Sequence, residues 1–80
     1  MTNTQLNPTV RDAQVYDFIV RYKEAHTFAP TLEEIATDLK TSRQNIHTVI
    51  NRLVKMGCVL RESKQIRGLV PVKSPLTLIR

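Results

Sequence analysis

Residues 31–55 read TLEEIATDLKTSRQNIHTVINRLVK, and the spacing within this stretch decides the fold. Thr31 followed three positions later by Glu34 is a capping box. In such a box the hydroxyl accepts the N–H three residues on, while the carboxylate reaches back to the N–H of the capping residue. Leu32, Ile35, Ala36 and Leu39 then recur at i, i+3, i+4, i+7, which predicts a short one-sided helix ending near Lys40. Thr41-Ser42-Arg43-Gln44 offers a second capping box two residues after Leu39, so the turn between the helices is tight. Ile46, Val49, Ile50 and Leu53 repeat the apolar spacing, and Gly57 is a natural left-handed terminator after Met56. The second helix of the pair therefore runs from about Arg43 to Lys55. At about 100° per residue, Gln44, Thr48, Asn51 and Lys55 project opposite its apolar stripe, with Asn45, His47 and Arg52 on the flanks. No carboxylate occurs on this helix.

On the N-terminal side, Val15, Phe18, Ile19 and Tyr22 line one face of a helix that starts at Asn7-Pro8 or Thr9 and runs to about Ala25. Tyr16 and Val20 widen that stripe, and Pro30 pushes Ala29 out of helical geometry. On the C-terminal side the period changes. Residues 58–61 and 68–72 predict two short strands around a polar turn that carries Lys64 and Arg67. Pro71 confines the second strand to an edge. The expected organisation is a polar arm over residues 1–7, one domain over 8–72 and a tail over 73–80 that contains Leu76, Leu78 and Ile79. The expected fold is mainly α with a small β-hairpin: a winged helix-turn-helix of three helices plus a wing.

Eighty residues suffice for one domain, since a chain this short buries only about 60 % of its unfolded surface. A composition of 41 % hydrophobic and 24 % charged residues is that of a folded domain. The single cysteine, Cys58, cannot form an intramolecular disulfide; it is expected to pack as a small apolar residue. The N-terminus lacks the basic region and apolar run of a secretory signal, and no apolar stretch reaches the roughly 18 residues needed to span a bilayer. A cytoplasmic protein without membrane contact is expected. Through Leu39 the chain carries three basic against six acidic side chains, a net −3; from Lys40 onward it carries nine against Glu62 alone, a net +8. A half this poor in compensating acids points to a polyanion, because neutralised phosphates release counterions.

The order helix, helix, tight turn, helix, hairpin, with an acid-free third helix rich in amides and hydroxyls, suits the major groove of double-stranded DNA. An α-helix fits that groove, Gln or Asn can pair with adenine through two hydrogen bonds, and Thr offers a hydroxyl and a methyl to thymine. A three-helix bundle serving only protein interaction explains the apolar stripes equally well, but not the charge on the half that carries the third helix and hairpin.

The chain resembles the N-terminal DNA-binding domain of the LexA repressor family. The resemblance is carried by Val15-Tyr16-Asp17-Phe18-Ile19, by Ala29-Pro30-Thr31 with Glu34-Ile35-Ala36, then by Leu39, Ser42, Leu53, Lys55, Gly57 and Arg67-Gly68, and it spans residues 9–72. It implies a transcriptional repressor of bacterial or phage origin. It also implies that Ser42, Gln44, Asn45, His47 and Thr48 approach DNA; Asn51 is added by the angular layout alone. The sequence departs from the family in three ways. The turn before the third helix is one residue shorter, the family's acidic pair on that helix is replaced by His47 and Thr48, and the chain stops at Arg80 without the self-cleaving Ser/Lys protease domain. A stand-alone, non-proteolytic domain with its own DNA target is expected.

Gln44, Asn45, His47, Thr48 and Asn51 are thus the candidate base readers, and Ser42, Arg43, Arg52, Lys55, Lys64 and Arg67 the candidate phosphate contacts. The plainer reading of the outward residues is a solvated helix face, which any surface helix shows; their basic surroundings favour contact. No metal site is expected, because neither His26 nor His47 has a second ligand at i+3 or i+4. Ser63-Lys64 lies on a turn without a buried pocket to lower a lysine pKa. With no acid/base pair or Gly-rich phosphate loop, neither an enzyme nor a cofactor is expected. Two copies on two half-sites would raise affinity, pairing through the 73–80 tail or through helix one. The alternative is a winged-helix adaptor whose basic face docks on a repressor, polymerase or replication protein.

Overall fold

The computed structural model describes residues 9–62 and 67–75. Five elements follow in chain order: α1 (Val10–His26), α2 (Leu32–Leu39), α3 (Arg43–Lys55), β1 (Val59–Arg61) and β2 (Leu69–Pro71). This is the mainly helical winged helix-turn-helix that the sequence predicts.

Each helix begins on a hydroxyl cap. At α1 the cap is Thr9: its Oγ1 accepts the Asp12 N–H at 3.1 Å, and its own N–H donates to Asp12 Oδ2 at 2.9 Å. At α2 the expected box is present, with Glu34 N–H to Thr31 Oγ1 at 3.1 Å and Thr31 N–H to Glu34 Oε1 at 2.9 Å. At α3 the cap is Ser42, whose Oγ accepts the Asn45 N–H at 3.1 Å, and not the Thr41 box that the spacing suggests. The reason lies in the preceding helix. Lys40 turns left-handed (φ 58°) to close α2, and the Thr41 N–H is spent on Ala36 O at 2.9 Å, the long-range bond of a helix terminator. Thr41 thus ends one helix and cannot also start the next.

Thr27, with φ 64°, closes α1 in the same left-handed region, which is costly for a β-branched residue. At the end of α3 the left-handed position is Gly57 (φ 76°), as expected; a Cβ there would meet only Lys73 Cε at 4.0 Å, so the demand for glycine is conformational and not steric.

The hairpin pairs Val59 with Pro71, Leu60 with Val70 and Arg61 with Leu69. Flanking bonds run from Val72 N–H to Cys58 O at 2.7 Å and from Glu62 N–H to Gly68 O at 2.8 Å. Antiparallel ladders alternate bonded and non-bonded pairs. Pro71 therefore falls at a non-bonded pair, where its missing N–H interrupts nothing.

The core gathers Val15 and Ile19 from α1, Leu32, Ile35 and Ala36 from α2, Ile46, Val49, Ile50 and Leu53 from α3, and Val59 and Leu69 from the hairpin. Helix α3 packs against both other helices, and the hairpin closes over α3 and α1. Of the expected α1 stripe, Val15 and Ile19 are fully buried, while Phe18 packs at the core edge and Tyr22 is half-buried. Cys58 is buried as expected, and burial pushes its thiol pKa up, which suppresses the reactive thiolate. Lys73 N–H bonds Cys58 O at 3.2 Å and Pro75 is buried, so the first residues of the expected tail belong to the domain. The 1–7 arm, Lys64 and residues 76–80 lie outside the described residues. Among the described residues no helix is long and apolar enough to cross a membrane.

Candidate nucleic-acid interface

The buried stripe of α3 fixes what faces outward. With Ile46, Val49, Ile50 and Leu53 in the core, Gln44, Asn45, His47, Thr48, Asn51 and Lys55 are all exposed, as are Ser42 and Arg43 at the N-terminal end. The structure thus brings all five candidate base readers onto one exposed surface, together with three of the six candidate phosphate contacts.

That surface is partly ordered before any ligand arrives. Asn45 Nδ2 donates to Thr41 Oγ1 at 2.9 Å, and Asn51 Nδ2 lies 3.5 Å from His47 Nδ1. Thr48 Oγ1 donates to Gln44 O at 3.2 Å, which leaves its oxygen free to accept and its methyl to make apolar contact. Among the described residues the Gln44 side-chain amide has no protein partner, so its donor and acceptor are both available. The first turn of α3 holds no acid. The positive end of the helix dipole and its unbonded N–H groups are therefore left uncompensated, the arrangement that favours an incoming anion.

Arg52 and Arg67 are placed differently from the other cations. Arg52 Nη2 donates to Asp12 Oδ2 at 3.0 Å, with Nε 3.4 Å from Oδ1, and Asp12 is wholly inaccessible to solvent. Arg67 Nη1 donates to Glu34 Oε1 at 2.9 Å and to Ala29 O at 2.9 Å, and Nη2 donates to Glu34 Oε2 at 3.0 Å. Tyr22 Oη lies 3.4 Å from Arg67 Nη1, and the guanidinium carbon sits 4.6 Å from the Phe28 ring centroid. Both guanidiniums are thus engaged across the fold and not held out as free cations. Their partners were missed by sequence reasoning. Asp12 and Glu34 each occupy the third position of a capping box, which gives a carboxylate a sufficient local role; nothing in the spacing shows a partner 40 or 33 residues away. The one available signal was the charge split, which leaves an acidic and a basic half to meet.

Three helices closed by an antiparallel hairpin, with an acid-free third helix turned outward from the core, define a winged helix-turn-helix domain of the DNA-binding type. The sequence matches the LexA DNA binding domain over residues 3–68, and the chain belongs to that family. It is 33 % identical over 75 residues to the LexA repressor of Oleidesulfovibrio alaskensis, covering 94 % of this chain and 36 % of that protein. It is 31 % identical over 70 residues to the LexA repressor of Thermosipho africanus, covering 88 % of this chain and 35 % of that protein. The chain therefore spans about a third of the length of these relatives.

Proposed function

We propose that this domain binds a specific sequence in double-stranded DNA and represses transcription from it. The observation that carries the reading is the outward face of α3, where Gln44, Asn45, His47, Thr48 and Asn51 stand exposed on a helix with no carboxylate. In this reading they contact base edges in the major groove, while Ser42, Arg43 and Lys55, with Lys64 from the hairpin turn, hold phosphates. Arg52 serves by tying α3 to α1 through Asp12. The family membership and the names of the two relatives support a repressor, as does the charge of the basic half. The reading includes no enzymatic step, and a domain working on DNA in this way belongs in the cytoplasm.

Two copies on paired half-sites complete the proposal, because one domain of this size offers a small interface. Helix α1 and residues 76–80 are the candidate contacts. Since residues 73–75 are part of the fold, the informative truncation begins at residue 76. A dimer that survives it in sedimentation points to α1.

Selection of bound sites from random duplex DNA, followed by titration of the selected site against salt, tests the function. A recurring motif, with log K falling linearly against log salt, is the expected result. Negligible binding at low salt overturns it in favour of a protein-docking adaptor.

A further inference from the structure

The hairpin is joined to the rest of the domain through an unusually complete set of contacts from one side chain. The Arg67 guanidinium has its two terminal nitrogens on the two oxygens of Glu34, and one of them also on Ala29 O. Its carbon lies 4.6 Å from the Phe28 ring centroid and 6.0 Å from that of Tyr22, within reach of a cation–π attraction. Glu34 is itself immobilised, because its Oε1 also accepts the Thr31 N–H at 2.9 Å in the α2 capping box. On the other side Arg67 adjoins Gly68, whose carbonyl accepts the Glu62 N–H at 2.8 Å and so ties the two strands together. A path of charge-assisted and backbone hydrogen bonds, linked through the Arg67–Gly68 peptide, thus runs from the cap of α2 to the turn end of the two strands. A cation held this way is a poor phosphate ligand. To reach a phosphate it would have to give up a bidentate carboxylate, and that carboxylate would then repel the same phosphate.

We propose that Arg67 acts on DNA binding as a positioning residue, setting the wing against α2 through Glu34, and not as a phosphate contact. This rests on the DNA-binding reading above. The two roles predict opposite signs at Glu34. If Arg67 positions the wing, Glu34→Ala and Arg67→Ala each weaken affinity for the selected site, about tenfold, and the double variant is no weaker than the weaker single one. If Arg67 contacts phosphate, Glu34→Ala frees the cation and removes a nearby negative charge, so affinity is unchanged or rises.

The decisive experiment measures affinity for wild type, Glu34→Ala, Arg67→Ala, the double variant and Thr31→Ala. Residual dipolar couplings of the hairpin amides relative to those of α3 are recorded in the free proteins. Thr31→Ala removes the hydroxyl half of the same capping box but keeps both the residue-31 N–H on Glu34 Oε1 and the Arg67–Glu34 pair. It should lose helix stability and retain wild-type affinity, which separates positioning from general destabilisation. In Glu34→Ala and in Arg67→Ala the hairpin couplings should change while those within α3 persist. Unchanged hairpin couplings, or an affinity that rises in Glu34→Ala, overturn the proposal. Absence of DNA binding by the wild type overturns the functional reading and the affinity consequence with it, while the couplings still decide whether Arg67 sets the wing.

Discussion

At Asp12 a single carboxylate does two jobs that normally fall to two residues. Its Oδ2 accepts both the Thr9 N–H that completes the α1 cap and a guanidinium N–H of Arg52. The pair is asymmetric: Asp12 is fully buried, whereas the Arg52 side chain is 36 % exposed. Removing the arginine strands a charge away from water, but neutralising the acid leaves an arginine that water can reach. Arg52→Ala is therefore expected to cost more stability than Asp12→Asn, about 2 kcal/mol or more in urea unfolding. Gln44 lies at the other extreme, with no internal role for its side chain among the described residues. Gln44→Ala should leave the unfolding midpoint unchanged. It should cost about 1 to 3 kcal/mol on the selected site and little on random DNA, as measured by parallel titrations. Equal loss on both DNAs would show that Gln44 does not read bases.

Among the elements, α2 carries the most consequence for its eight residues. Its first turn supplies Glu34 to the wing, its inner face supplies Leu32, Ile35 and Ala36 to the core, and its end supplies the left-handed Lys40 that makes the turn into α3. The Arg67 guanidinium, with the Thr31 amide second, holds the Glu34 carboxyl down to about 2 against 4.5 for a free side chain. A carboxyl whose pKa is depressed by folding stabilises the folded state fully above its unfolded pKa, and that contribution fades as pH falls toward the folded pKa. The unfolding midpoint of the wild type should therefore decline as pH drops from about 4.5 to 2, and part of that decline should vanish in Glu34→Gln. Because both side chains are more than a third exposed, solvent screening reduces the effect well below what the shift alone implies. Identical pH profiles would remove the pair from the account of acid stability.

Across the whole molecule the charge split has two outcomes. Asp12 and Glu34 of the acidic half neutralise Arg52 and Arg67 of the basic half, and these pairs join α1 to α3 and α2 to the wing. Arg43 and Lys55, exposed on α3, meet no carboxylate among the described residues. If these are phosphate contacts, Lys55→Ala should lower the slope of log K against log salt by about 0.9, on specific and random DNA alike. A slope that does not move would place Lys55 outside the interface.

The sequence by itself determined the elements and the outward face of α3. Apolar residues at helical spacing can be buried only one way round, so Gln44, Asn45, His47, Thr48 and Asn51 had to face outward wherever the helix was packed. Hydroxyl caps and Gly57 act within a few residues, and they too were legible, except at Thr41, where the demands of the preceding helix end took precedence. Tertiary structure alone decided the fate of the cations. Arg52, Arg67, Arg43 and Lys55 are equivalent in a sequence, and only the folded chain shows which of them meet a carboxylate. Pairing across 40 and 33 residues depends on how α1, α2 and the hairpin close over α3. Local periodicity carries no information about that closure, and so nothing in the spacing shows that two of the arginines that read as contacts for DNA are paired with carboxylates of the acidic half.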